Sequence, residues 1–84
     1  MTDLNKIPQT ERNNLILIYE EYCAAKKKHP AFNSPHEAYA VILEELDEVW
    51  KIIKSSVSRK GNIEAMKYEV KAVGAMALRF MMDL

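Results

Sequence analysis

The side chains in this chain that could perform chemistry are carboxylates in two separated stretches. Glu44, Glu45, Asp47 and Glu48 fall close together, and Glu69 stands alone further on. A carboxylate among apolar side chains is costly unless it is paired or binds a cation. Carboxylates that converge favour a divalent cation, and Mg²⁺ fits because it prefers oxygen ligands completed by water and phosphate.

Two of these acids differ from ordinary surface acids in their helical neighbours. A helix turns about 100° per residue, so positions three, four and seven apart share a face. The residues at such spacings from Glu45 and Glu69 are small or apolar: Val41, Val49, Ile52, Ala65, Ala72, Val73 and Met76. Glu48 lies one turn beyond Glu45 on the same flank. If two helices pack antiparallel, Glu45, Glu48 and Glu69 can meet around a metal ion.

The alternative interpretation is an ordinary surface network. Lys51, Lys71 and Arg79 are available to pair with the glutamates, and charged residues on helices usually form a solvated face.

Helical periodicity, together with the cap residues and prolines that start and stop helices, predicts the elements that position these acids. The first helix is predicted from Thr10, as N-cap, to Lys28, with three lysines in its last turn and Pro30 beyond it. The second begins at Ser34 with a capping box completed by Glu37 and runs to about Ser55.

A loop is predicted from Ser55 to Asn62, and a third helix from there to the end of the chain. The apolar stripe of the second helix is Ile42, Leu46, Val49 and Ile53. That of the third is Ile63, Met66, Val70, Val73, Ala77, Phe80 and Leu84. Such a broadly apolar helix should be largely buried, and Ala72, Gly74 and Ala75 would allow close approach of another helix.

Length and composition bound the interpretation. With 84 residues the chain forms one domain, with residues 1–9 expected to be flexible. Twelve basic and twelve acidic residues give no general attraction to nucleic acid or membrane. One cysteine, no signal-like N-terminus and no long apolar run predict a cytoplasmic protein without a transmembrane helix.

The run from Phe32 to Trp50 resembles the first catalytic helix of the MazG-like nucleoside triphosphate pyrophosphohydrolases. Its Glu-Glu-x-x-Glu motif corresponds to Glu44, Glu45 and Glu48, and Glu69 corresponds to the glutamate of the family's following Glu-x-x-Asp element. The stretch from Val73 to Leu84 is similar to the end of short members found in phages and prophages.

This resemblance implies an all-α enzyme that hydrolyses a nucleoside or deoxynucleoside triphosphate to the monophosphate and pyrophosphate. It implies Mg²⁺, with Mn²⁺ as a substitute, held by Glu45, Glu48 and Glu69, and Glu44 as an outer-shell acid. It also implies a homo-oligomer, a dimer or tetramer. The unbroken apolar face from Ile63 to Leu84 independently predicts a three-helix protomer that a partner chain completes into an antiparallel four-helix-type bundle.

One position departs from the family pattern. The motif aspartate is replaced by Ala72, which cannot bind metal, and Asp83 lies about 16 Å further along the helix. A slow enzyme, or a catalytically degenerate module for oligomerisation or nucleotide binding, is therefore the alternative function. His36 and Cys23 are interpreted as helix residues without a catalytic role.

Overall fold

The computed structural model describes residues 2–55 and 59–84, with the backbone alone for residues 59–61. Every regular element in these residues is helical, which confirms the all-α, three-helix prediction. A short 3₁₀ helix, Leu4–Lys6, precedes α1 (Gln9–Lys28), α2 (Pro35–Ser55) and α3 (Arg59–Asp83). Within the same residues, no helix combines the length and the apolar content needed to cross a membrane.

The helix α1 ends as predicted but begins differently. The His29 N–H donates to the Ala25 carbonyl (3.0 Å), which closes the last turn before Pro30. Thr10 was predicted as the N-cap, and this is wrong because the helix already includes Gln9 and follows Pro8 without a side-chain cap. The Pro8 carbonyl accepts the first bond from Arg12 instead (2.9 Å).

The start of α2 uses the predicted serine cap. The Glu37 N–H donates to Ser34 Oγ (3.1 Å). The Glu37 carboxylate reaches back to the N–H of Asn33 (3.3 Å), one residue before the position that a capping box usually engages. Two backbone donors at this helix start are thus satisfied by side chains.

The helix α3 is longer than predicted. Arg59–Asn62 was predicted as loop, and this is wrong because α3 begins at Arg59; residues 56–58 of that loop lie outside the described residues. Gly61 costs about 1 kcal/mol relative to alanine in a helix. Each further residue adds a backbone bond once a helix exists, so a 25-residue helix tolerates that cost.

The helices α2 and α3 are antiparallel. Phe32, just before α2, donates its N–H to Asp83 at the C-terminal end of α3 (3.0 Å). The other neighbour of α3 is α1, where a Cβ on Gly74 would meet Ile18 Cδ1 at 3.1 Å, and Ala75 is fully buried. The prediction that small residues of α3 admit another helix closely is confirmed at Gly74, whereas Ala72 lines a pocket.

The single chain does not by itself bury the α3 stripe. Ile63, Val70 and Leu84 are 42–52% exposed, and the buried residues of α3 are Ala75, Met76 and Arg79. The accessible surface is 6675 Å², whereas a compact chain of 9.7 kDa exposes about 5,100 Å². The radius of gyration is 14.4 Å, against about 12 Å for a compact domain of this length. Three helices in an open layer cannot cover all of their apolar side chains.

Candidate functional site

A pocket of about 600 Å³ lies among the three helices and the connection between α1 and α2. Five carboxylates line it, and one of them, Glu37, is engaged with Asn33 at the start of α2. We call the other four the acidic end: Glu21, Glu44, Glu45 and Glu69. Lys28, His29 and Arg79 line it as well. The pocket therefore offers oxygen ligands for a cation together with the positive charge of Lys28, a combination suited to a metal-bound polyphosphate.

Glu45 is the carboxylate most perturbed by its surroundings. Partial burial raises the pKa of Glu45, and the negative charges of Glu69, Glu44, Glu48 and Glu21 raise it further, in that order. Both causes act against the ionised form. The acidic end is thus a place where a bound cation would remove an electrostatic cost.

The basic residues named for a surface network do not neutralise the centre of this site. In the described part of the chain, no lysine, arginine or histidine forms an ion pair with Glu45 or Glu69. Lys71 lies 3.8 Å from Glu21, and Arg79 is 3.8 Å from Asp83. Among the described residues, the surface-network interpretation therefore has no support for Glu45 and Glu69.

Glu48 behaves differently from the other two predicted metal ligands. Its carboxylate accepts a 3.0 Å hydrogen bond from Lys51, and the residue is absent from the pocket lining. This contact raises the pKa of Lys51. For Glu48 the surface-network interpretation holds, although its charge still contributes to the raised pKa of Glu45.

Glu44 and Glu69 lie on α2 and α3 respectively. Both line the pocket, Glu44 as an exposed residue and Glu69 as a half-buried one. Ala72, one turn after Glu69, lines the same pocket, so no carboxylate stands at that point. Asp83 is engaged elsewhere, because it accepts the Phe32 N–H and pairs with Arg79.

Glu21 was missed in the sequence because the candidate acids were selected from the second and third helices alone. It lines the pocket, and its charge contributes to the raised pKa of Glu45. The test that singled out Glu45 would have found it, since its neighbours at three residues before and four after are Ile18 and Ala25. A helix with few distinctive motifs can still supply a carboxylate to a site built mainly by its neighbours.

The donor set of the acidic end fits a hard cation in type, because every candidate ligand is a carboxylate oxygen. In the described residues, no group of three or more His, Cys, Asp or Glu side chains is already arranged to hold a metal ion. Mg²⁺ therefore stays a prediction here. Cys23 is a free, half-buried thiol outside this pocket, and His36 is exposed at the start of α2.

Comparison of the chain with known proteins gives no relative to report. No family model, no curated protein and no solved structure matches it. The resemblance to MazG-like enzymes stays a prediction that rests on the residues quoted for it.

Proposed function

We propose that this chain is a Mg²⁺-dependent nucleotide pyrophosphohydrolase that cleaves a nucleoside or deoxynucleoside triphosphate to the monophosphate and pyrophosphate. The observation that carries the proposal is that Glu45 and Glu69, two carboxylates on antiparallel helices, line one pocket and have no basic partner among the described residues. Unpaired, partly buried carboxylates are costly, and a divalent cation is the partner that their chemistry favours.

In this proposal Glu45 and Glu69 hold the metal, and Glu21 is a further carboxylate within the same pocket. Bound Mg²⁺ would supply Lewis-acid polarisation of the triphosphate and a water activated for attack. Glu44, exposed beside Glu45, accepts the proton of that water. Glu48 was predicted as a third metal ligand. Its hydrogen bond with Lys51 would have to break before its carboxylate could bind the metal.

Hydrolysis breaks the α–β anhydride and leaves an additional negative charge on the products. Lys28 and His29 line the pocket and are exposed at its edge. Lys28 supplies positive charge to the polyphosphate, and both side chains offer N–H donors for phosphate oxygens. The volume of about 600 Å³ lies within the range of pockets that hold a nucleotide-sized ligand.

Assembly of the protein as a homo-oligomer is part of the proposal. A second apolar stripe of α2 consists of Tyr39, Leu43, Leu46, Trp50 and Ile53, each 41–64% exposed. Its spacing of four, three, four and three residues is that of a helix seam that packs against a partner helix. The stripe Ile63, Val70, Ala77, Phe80 and Leu84 of α3 is exposed as well.

Both stripes lie on the outer face of the α2–α3 pair, which we define as the side away from the pocket. They are about 130° to 180° around each helix from the residues that line the pocket. The surface in excess of a compact monomer is about 1,600 Å², or twice the roughly 800 Å² per partner of a standard interface. A second copy that packs its own outer face there would complete an antiparallel four-helix bundle and leave both pockets open.

The experiment is a panel of nucleoside and deoxynucleoside triphosphates with Mg²⁺ or Mn²⁺, scored for pyrophosphate release. We expect release from at least one substrate, lost in Glu45→Gln and Glu69→Gln and retained in Glu64→Gln. Glu64 is a matched control because it is an exposed acid on α3 outside this pocket. Activity that persists in both pocket variants would contradict the proposed mechanism.

A non-catalytic module is the second candidate, favoured by Ala72 in the pocket and by the Glu48–Lys51 contact. It would be an oligomerisation or nucleotide-binding domain without turnover. Binding of Mg²⁺ with a nucleotide raises the melting temperature, whereas a purely associating domain shows no such shift. A shift without pyrophosphate release would indicate nucleotide binding alone.

A further inference from the structure

Arg79 is the one charged residue that is buried in the described part of the chain, at 4% exposure. A buried guanidinium is costly unless its hydrogen bonds and charge are satisfied. Here its Nη2 donates to the Pro30 carbonyl (2.9 Å), and its Nη1 lies 3.4 Å from Met76 Sδ. The guanidinium carbon is 4.1 Å from the centre of the Phe32 ring, within cation–π range.

Asp83 completes the arrangement. Its Oδ2 accepts the Phe32 N–H at 3.0 Å and lies 3.8 Å from Arg79 Nε. Two residues of α3, one turn apart, therefore hold a backbone carbonyl and a backbone N–H on either side of Ala31. Neither group has a partner in a helix, because residues 29–34 connect α1 to α2.

We call this group of Pro30, Phe32, Arg79 and Asp83 the α3 clamp. Pro30, Phe32 and Arg79 all line the pocket, so the segment that the clamp fixes is also a wall of the pocket. Phe32 stands two residues before the Ser34 cap, where α2 begins. The position of this wall relative to α3 therefore depends on the contacts that Arg79 and Asp83 make near the C-terminal end of α3.

We propose that Arg79 is a positioning residue, which acts through Pro30 and Phe32 to hold the pocket wall against α3 in the geometry that a nucleotide requires. The role needs arginine rather than lysine, since a planar guanidinium can stack on a ring while it donates in its own plane. The kinetic part of this inference rests on the proposed function, whereas the structural part does not.

Hydrogen exchange at the Phe32 amide tests the structural part. Arg79→Lys keeps the charge and leaves the Asp83 acceptor in place, so it does not remove the partner of this N–H directly. We expect exchange at Phe32 to accelerate by about tenfold or more, with the Val49 amide in the middle of α2 changed much less. Glu64→Gln, which removes an exposed ion pair of the same helix, serves as the matched control.

Equal acceleration at Phe32 and Val49 would mean that Arg79 stabilises the whole fold and would overturn the proposal, as would no change at Phe32. Should Arg79→Lys fail to fold, Asp83→Asn makes the same comparison. It removes the charge opposite Arg79 and keeps an oxygen for the Phe32 N–H.

Kinetics test the positioning role with the triphosphate that the panel identifies as the best substrate. We expect Arg79→Lys to raise KM and to change kcat little. A misplaced wall weakens binding of the substrate and of the transition state alike, and such a loss affects KM alone. A loss of folded protein instead lowers the apparent kcat and leaves KM unchanged, and that result would overturn the proposal. If the wild type hydrolyses no member of the panel, the proposed function fails, and hydrogen exchange alone decides the role of Arg79.

Discussion

Glu45 and Glu69 line one pocket from antiparallel helices, and in the described chain neither is paired with a basic side chain. Partial burial is the main cause that raises the pKa of Glu45, and the negative charge of Glu69 is the second. Ionisation of Glu45 at neutral pH therefore opposes folding when no cation is bound. This relationship has consequences for stability that can be measured whether or not the substrate is known.

Removal of the charge at Glu45 should stabilise the protein without metal. We expect Glu45→Gln to raise the melting temperature in EDTA by about 2–4 °C, which corresponds to roughly 0.5 kcal/mol in a chain of this size. Glu64→Gln, the exposed control on α3, should leave the melting temperature nearly unchanged. A lower melting temperature in Glu45→Gln would mean that the carboxylate has a stabilising partner.

The same difference should depend on pH in a defined direction. Because the pKa of Glu45 is higher in the folded than in the unfolded chain, the folded state binds more protons between the two values, and stability falls as pH rises through that window. The advantage of Glu45→Gln over the wild type should be constant at neutral pH and vanish as pH falls to the ordinary glutamate range. Thermal melts of both proteins from pH 4 to 8, each without metal, measure it.

If the stability advantage of Glu45→Gln over the wild type grew toward acid pH, the prediction would be contradicted. It would show that the folded state favours the charged carboxylate, as it would with a lysine or arginine beside it.

A charge on the outer face should prevent association. Leu46 is 50% exposed in the middle of the α2 stripe, and Leu46→Lys would bury a charge in the proposed interface between copies. We expect sedimentation at micromolar concentration to change from a dimer or larger oligomer to a monomer. Asp47→Asn changes the charge by the same amount at the adjacent exposed position and should leave the assembly intact. A wild-type protein that sediments as a monomer would contradict the proposed bundle.

Extra volume at Gly74 should separate α1 from α3. A Cβ there would already lie 3.1 Å from Ile18 Cδ1, so the branched side chain of Gly74→Val has no room. Overpacking of this kind costs about 1–3 kcal/mol, and about 4–8 °C of melting temperature follows from each kcal/mol in a chain of this size. Ala65→Val, at an exposed position of the same helix, is the control.

The double variant Gly74→Val with Ile18→Ala distinguishes steric overlap from a general effect of valine on the helix. We expect the second substitution to recover part of the loss, because it vacates the space that the new side chain needs. Strictly additive losses would contradict a direct contact between these two positions.

Local signals in the sequence were sufficient for most of the helix boundaries. The Ser34 cap and Pro30 act within one turn of the residues that they affect, so the start of α2 and the end of α1 could be predicted. The start of α3 could not, because Arg59–Asn62 contains glycine and polar residues that favour a loop in isolation. The rest of a long helix outweighs that preference.

The candidate site was predictable in part. Helical angles sufficed to bring Glu45 and Glu69 toward a common side of two antiparallel helices. The same angles put Glu48 on the flank of Glu45, but they do not reveal that its flexible side chain contacts Lys51 instead. Helical neighbours also identify Glu21 as an acid on an apolar face of α1, but its place in this pocket depends on how α1 packs against α3, where Ile18 approaches Gly74 closely.

Apolar periodicity predicts that one face of a helix is buried, but it does not identify which helix or which chain buries that face. The α3 stripe from Ile63 to Leu84 was expected to be buried, and within the single chain α1 and α2 contact α3 through a different set of small and buried residues. The number of apolar faces in this sequence exceeds what three helices in one layer can cover.

The open layer, 22 Å across its thinnest dimension, also affects how stability should be defined for this protein. If much of the apolar surface is covered only when two chains meet, folding and association share one equilibrium, and the unfolding midpoint rises with protein concentration. A single free energy of unfolding would then have no meaning without the concentration at which it was measured. Dilution alone would act as a denaturant.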